Sequence, residues 1–121
     1  MDIQTIISAL KELRVNGIFE EYELQDEIAK ILKSHNINFI KEYKLGPRNR
    51  IDFFIDNGIG IEIKKGKPNR TKVIKQLERY ASFNEISALI LVIERSMDIP
   101  RYINNKPCLS IGLNKQWGIA I

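Results

Sequence analysis

Arg50-Ile51-Asp52-Phe53-Phe54-Ile55-Asp56-Asn57-Gly58-Ile59-Gly60-Ile61-Glu62-Ile63-Lys64 reads as a β-hairpin. The first arm is rich in β-branched and aromatic residues. Asp56-Asn57-Gly58 supplies a turn, because Asn and Gly tolerate positive φ. The second arm alternates, with Ile59, Ile61 and Ile63 on one face and Gly60, Glu62 and Lys64 on the other. Glu62 and Lys64 are thereby neighbours two residues apart. Asp52, near the start of the facing strand, can approach them across a twisted sheet. Two carboxylates and a lysine at one end of a hairpin are the groups that a Mg²⁺-dependent phosphodiester cleavage site needs, since hard oxygen ligands hold the ion and leave positions open for water and phosphate. The competing reading is a solvated strand face with an incidental Glu/Lys pair.

The hairpin is delivered and continued by basic loops. Gly46-Pro47-Arg48-Asn49-Arg50 precedes it and Lys65-Gly66-Lys67-Pro68-Asn69-Arg70-Thr71-Lys72 follows it. Arg48, Arg50, Lys65, Lys67, Arg70 and Lys72 flank the acidic groups with no acid among them, which suits a phosphate backbone approaching a metal site. A merely solvated pair of loops is the alternative.

Upstream, Asp2 to Arg14 carries Ile3, Ile6, Ile7, Leu10 and Leu13 at helical spacing, with Asp2 as N-cap and Asn16-Gly17 as the stop. A short helix with such a stripe needs a partner surface, either its own domain or a second copy, and a homodimer is the expectation. A second helix covers Glu20 to His35, with a stripe of Leu24, Ile28, Ile31 and, at its edge, Leu32. Extended backward, the stripe lands on Glu21, which could reach toward the hairpin; Glu23 and Glu27 are alternatives. Acidic residues also favour a first helical turn for its dipole alone. His35 at the helix end reads as a cap for carbonyls. Asn36 to Asn38 turns the chain into a strand, Phe39 to Leu45, with Phe39, Lys41, Tyr43 and Leu45 on one side.

Downstream, Asn69 or Thr71 caps a third helix running to about Phe83, with Val73, Ile74, Leu77, Tyr80 and Ala81 inward and Gln76 one turn from Tyr80. Ala88 to Glu94 is a continuous apolar run of the kind buried at the centre of a sheet. Ser96 to Asn105 reads as irregular or as a short helix around Pro100. Short strands follow at Cys108 to Leu113 and Trp117 to Ile121, joined by Asn114-Lys115-Gln116. The strand–helix–strand unit implies a parallel pair with a right-handed crossover. The expected fold is α/β, a three-layer α/β/α sandwich around a mixed sheet.

The chain has 121 residues, 44% of them hydrophobic, and a formal net charge of +4. One domain, 1–121, is the expectation: an N-terminal helical region over 1–16 that could serve oligomerisation, a core over 20–94, and short strands over 95–121. The single cysteine, Cys108, lies in an apolar run and reads as a small buried hydrophobe. No signal peptide or bilayer-length apolar segment is apparent, so a soluble cytoplasmic protein without a membrane partner is expected.

Four pieces in order resemble the PD-(D/E)xK nuclease superfamily, which has the restriction-endonuclease-like fold. Glu21-Tyr22-Glu23-Leu24-Gln25 resembles the first-helix motif. Ile51-Asp52 stands where the family has its Asp, with Ile51 in place of the Pro of the family name. Glu62-Ile63-Lys64 matches ExK, and Gln76-Leu77-Glu78-Arg79-Tyr80 matches the QxxxY motif of the RecB-like branch. The small size looks like stand-alone nucleases of phages and mobile elements and like small resolvases. The resemblance implies a Mg²⁺- or Mn²⁺-dependent DNA endonuclease that leaves 5′-phosphate and 3′-hydroxyl ends. Asp52, Glu62, the main-chain carbonyl of Ile63 and Glu21 would then serve the metal. Lys64 would serve the attacking water or the transition state, Gln76 would position Lys64 or a phosphate, and Tyr80 would brace the site. A Holliday-junction or branched-DNA resolvase, or an exonuclease of the same fold, is the alternative within the class. A non-catalytic DNA-binding module and a partner-binding subunit are alternatives outside it.

Overall fold

A computed structural model describes residues 2–13 and 20–116. The expected stop at Asn16-Gly17 and the strand at Trp117 to Ile121 lie outside the described residues. The chain runs α1 (Ile3–Leu10), α2 (Glu21–Ser34), β1 (Phe39–Gly46), β2 (Asn49–Ile55), β3 (Ile59–Lys64), α3 (Arg70–Ala81), β4 (Ala88–Ile93), β5 (Tyr102–Ile103), β6 (Lys106–Gly112) and a single helical turn, α4 (Leu113–Gln116). The strands form one mixed sheet of six in the order β1-β2-β3-β4-β6-β5.

Local chemistry sets the boundaries. The Asp2 carboxylate accepts the Thr5 N–H at 3.0 Å and starts α1. Asn69, rather than Thr71, caps α3 by accepting the Lys72 N–H at 3.0 Å. The hairpin turn closes through Gly58 N–H to the Ile55 carbonyl at 2.7 Å. Gly58 takes φ +91°, and a Cβ there would stand 2.5 Å from the Glu85 carbonyl oxygen, so both conformation and space call for glycine. α3 crosses over from β3 to β4, and the two strands pair in parallel from Ile59↔Ala88 to Lys64↔Ile93.

The sheet has a core on each face. Ile6 and Leu10 of α1 and Leu24, Ile28 and Leu32 of α2 pack with Phe53, Ile61, Ile63, Ile90 and Val92. Val73, Leu77, Tyr80 and Ala81 of α3 pack with Ile51, Leu89, Leu91, Ile93 and Cys108. β4 supplies alternate residues to each cluster, which is why its sequence is apolar throughout. On α2 the order of the stripe's edge is reversed, for Leu32 is fully buried and Ile31 only partly so; Ile74 of α3 is likewise only partly buried.

Two expectations need correction. Phe39 packs with the α1/α2 cluster, whereas Tyr43 and Leu45 belong to the α3 cluster, so Phe39, Lys41, Tyr43 and Leu45 do not share a side. Glu42 sits at φ +50° between the pairs Lys41↔Phe53 and Tyr43↔Ile51 and breaks the pleat. β2 switches faces at the same level, with Ile51 in the α3 cluster and Phe53 in the other; Asp52 is the residue at the switch. The second concerns α1. Ile6, Leu10 and Leu13 are 0% exposed within the single chain, so the stripe that suggested a homodimer is covered by the chain's own α2 and sheet. His35 caps α2 as expected, its main-chain N–H donating to the Ile31 and Leu32 carbonyls at 3.2 Å, and its Nε2 lies 2.8 Å from Glu12 Oε2.

The Asn114-Lys115-Gln116 stretch is part of α4 rather than an open turn, and Ser96 to Asn105 contains the two-residue strand β5. Cys108 is buried, which pushes its thiol pKa up to about 11 and leaves it a packing residue, as expected. Among the described residues, no helix is long and apolar enough to cross a membrane.

Candidate functional site

The β2–β3 ladder runs Ile55↔Ile59, Phe54↔Gly60, Phe53↔Ile61 and ends there. One step beyond, the side chains replace the main chain. The Ile63 N–H donates to Asp52 Oδ2 at 2.8 Å, and the Asp52 N–H points to Glu62 Oε1 at 3.4 Å. Each carboxylate therefore occupies the fork between the two parting strands and meets the main chain of the opposite one. The face switch at Asp52 and the alternation of β3 bring this about together.

The fork is dry. Glu62 is 5% exposed and is the buried charged side chain among the described residues. Burial, reinforced by the Asp52 charge, raises its pKa from an ordinary 4.5 to about 8 against the pull of Lys64. Burial also raises Asp52, opposed by the Ile63 N–H and reinforced by the charge of Glu21. Lys64 Nζ lies 3.4 Å from Glu62 Oε2. A solvated face with an incidental pair does not describe this arrangement.

α2 addresses the fork from one side. Gln25 Nε2 lies 3.5 Å from Asp52 Oδ1, and Glu21 acts on Asp52 through its charge. Glu23 is engaged elsewhere, accepting the Glu20 N–H at 3.0 Å, and Glu27 pairs with Lys30 at 3.3 Å. Of the three glutamates, Glu21 is the one whose charge acts on Asp52. Gln25 was not singled out from the sequence, although it lies one helical turn after Glu21 and so on the same face.

α3 addresses it from the other side. Gln76 Nε2 donates to Tyr80 Oη at 3.0 Å, and Tyr80 Oη donates to the Arg50 carbonyl at 2.9 Å. Burial and the charges of Glu62 and Asp52 hold the Tyr80 hydroxyl well above the ordinary phenol range, so it remains a donor. The amide of Gln76 is tied to Tyr80 rather than to Lys64, but both Gln76 and Lys64 line one cleft.

The basic residues divide. Arg48 and Arg50 join Lys44, Asn49, Gln76 and Tyr80 around a cleft of about 300 Å³. Lys72 joins Lys64, Arg79 and Gln76 around another of about 310 Å³. Lys65 instead lies 3.9 Å from Glu20, Arg70 Nε donates to the Asp98 carbonyl at 2.8 Å, and Lys67 is exposed outside both clefts. Lys44 and Arg79 were missed. Lys44 is the cross-strand partner of Arg50, and Arg79 is three residues after Gln76, so both are signalled by register once the elements are placed.

The donors that the fork offers are the carboxylate oxygens of Asp52 and Glu62, a chemistry compatible with a hard divalent cation, with Lys64 beside Glu62. Among the described residues no three of His, Cys, Asp and Glu converge into a metal-holding group. Two carboxylates suffice for Mg²⁺, which keeps several of its waters. Neither a scan of protein-family models nor searches of curated proteins and solved structures returns a match for this chain.

Proposed function

We propose that this chain is a metal-dependent deoxyribonuclease, an endonuclease built on a three-layer α/β/α sandwich of the restriction-endonuclease-like kind. The observation that carries the reading is the reciprocal placement of Asp52 and Glu62 in the strand fork, with Lys64 3.4 Å from Glu62. The helices contributing to opposite cores, α1 and α2 against α3, agree with that sandwich.

Asp52 and Glu62 would hold Mg²⁺ or Mn²⁺, with the Ile63 carbonyl as a third oxygen and Glu21 acting through water or charge. Bound there, the ion supplies Lewis-acid activation of a phosphodiester and of its attacking water. The remaining work belongs to the chain. Asp52 is fixed by the Ile63 N–H and Gln25, so its free lone pairs are aimed without reorganisation. Lys64 offers a cation beside Glu62 for the attacking water or the developing charge on phosphorus. Gln76 and Tyr80 stiffen the wall above the fork, and the basic clefts bind the phosphate backbone of DNA. Hydrolysis adds water across one P–O bond, leaving a phosphomonoester on one fragment and a hydroxyl on the other.

The test is incubation of the pure protein with supercoiled plasmid, linear duplex, single strand and a four-way junction, in Mg²⁺, in Mn²⁺ and in EDTA. Cleavage of at least one substrate that disappears in EDTA and in Asp52→Asn is expected. Binding of DNA with no cleavage under any of these conditions would sink the enzymatic reading in favour of a binding module.

A further inference from the structure

Residues 65–69 carry the chain from the end of β3 at Lys64 to the Asn69 cap of α3. Gly66 in this connection takes φ +70°, and open space surrounds the place where a Cβ would stand. Glycine is therefore needed there for the bend and not for packing. The same freedom makes the bend costly to hold in one position, because glycine has more backbone states to lose than any other residue.

The end of β4 holds it. The Glu94 N–H donates to the Lys64 carbonyl at 3.0 Å, one step past the last ladder pair, Lys64↔Ile93. The Arg95 N–H donates to the Gly66 carbonyl at 3.3 Å. The Glu94 side chain adds a further tie, for its Oε1 accepts the Gly66 N–H at 2.8 Å in a part-buried setting. Gly66 is thus gripped at both of its main-chain polar groups. The shorter grip is the one to a carboxylate, which is also the stronger kind. Glu94 is anchored in turn, since its carbonyl accepts the Asn114 N–H at 3.0 Å.

This clamp bears on a cleft. Pro68 and Asn69 of the connection line the space of about 310 Å³ that Lys64 and Lys72 also line. Lys64 belongs to a paired strand, so the sheet fixes its main chain. Pro68 and Asn69 take their place from Gly66 on one side and α3 on the other. Glu94 does not line the cleft, so its effect there passes through Gly66.

We infer that Glu94 is a positioning residue for this cleft: by holding Gly66, its carboxylate sets the loop wall in place in advance, and the cleft takes a DNA phosphate without first having to order the loop. The inference deepens the nuclease reading and rests on its DNA-binding half. A preformed wall binds at less cost than one that must be ordered on binding. Glu94→Ala removes the acceptor and leaves that ordering to be done by the ligand. Glu94→Gln keeps an amide oxygen for the Gly66 N–H.

The test compares wild type, Glu94→Ala and Glu94→Gln at a temperature where melts find all three folded. A labelled oligonucleotide, single-stranded and duplex, is titrated in EDTA and followed by anisotropy. Glu94→Ala should weaken binding by about tenfold or more, the equivalent of one hydrogen bond to a charged group, and Glu94→Gln should recover most of the loss. With Mg²⁺ present, KM for cleavage should rise by the same factor in Glu94→Ala while kcat holds, the reverse of the effect expected on removing Lys64. Wild-type binding by Glu94→Ala, with only a lower melting temperature, overturns the inference. Equal weakening in Glu94→Ala and Glu94→Gln also overturns it, because charge and not the clamp would then matter. If the wild type binds the oligonucleotide and cuts nothing, the hydrolytic reading falls, and the binding comparison still decides the role of Glu94.

Discussion

Glu62 Oε1 stands 3.4 Å from the main-chain nitrogen of Asp52, where the next rung of the β2–β3 ladder would otherwise bring a backbone carbonyl. The Asp52 carboxylate returns the arrangement by accepting the Ile63 N–H at 2.8 Å. Two acids are thus built into the hydrogen bonding of the sheet itself, which ties stability to charge at the same place as the proposed chemistry.

The first prediction concerns pH. The pKa of Glu62 is raised by burial to about 8, and that of Asp52 is raised as well. A carboxyl raised on folding contributes stability that is fully present below its ordinary value and lost as pH rises through the folded one. In EDTA, the ionisation of Glu62 should lower folding stability between pH 5 and pH 8, by up to about 1.4 kcal/mol per pH unit, and the melting temperature with it; Asp52 acts in the same direction. Glu62→Gln does not ionise and should flatten the decline. Mg²⁺ should flatten it too, by compensating the same charge. Parallel melting profiles for the wild type and Glu62→Gln would refute the assignment.

Asp52→Asn and Asp52→Ala should separate fold from chemistry. Asn retains an oxygen for the Ile63 N–H, whereas Ala leaves that donor without its acceptor, at a cost of about 1–3 kcal/mol. Urea titration is expected to find Ala the less stable of the two. Calorimetry should find Mg²⁺ affinity lost in both, and unchanged affinity would remove Asp52 from the metal.

Lys64→Ala should reduce cleavage by about 10²–10³-fold, corresponding to roughly 2.7–4 kcal/mol of barrier, while leaving most DNA binding in place. Single-turnover cleavage beside anisotropy in EDTA distinguishes this from a phosphate anchor, for which the two losses would be proportional. The buried Glu62 then lacks its cation, so a fall in melting temperature above neutral pH should accompany the kinetic loss.

Gly58→Ala tests the turn that sets the hairpin register. Its φ of +91° and the Glu85 carbonyl 2.5 Å from an added Cβ leave no relaxed position. The substitution should destabilise by more than about 1 kcal/mol. A neutral result in chemical denaturation would mean that the turn can be rebuilt.

Leu10→Ala tests where α1 belongs. Leu10 is 0% exposed against its own domain, so truncation should cost about 2–5 kcal/mol. Sedimentation at micromolar concentration should find the intact chain monomeric, because the α1 stripe is already covered. A concentration-dependent dimer dissociated by Leu10→Ala would restore the intermolecular role.

By itself the sequence determined what depends on nearest neighbours along the chain. Period-two alternation in Ile59 to Lys64 and helical spacing from Val73 to Tyr80 specify elements through backbone geometry alone. Asp56-Asn57-Gly58 punctuates them by permitted φ, and a cap at Asn69 or Thr71 by local hydrogen bonding. The adjacency of Glu62 to Lys64 and of Gln76 to Tyr80 follows from those periods, and the six-stranded sheet is consistent with the strand–helix–strand order. Only the tertiary structure decided what depends on distant segments. It let the charge of Glu21 bear on Asp52, while Glu23 accepts the Glu20 N–H and Glu27 lies beside Lys30. It brought Gln25 to Asp52, gathered Lys44 and Arg79 into the clefts, and folded the α1 stripe onto its own sheet. It also broke the expected alternation of β1 at Glu42, and with it turned Asp52 into the fork. A face switch on one strand becomes a site only when its partner strand switches at the same level, and that register is a property of the paired sheet rather than of either segment.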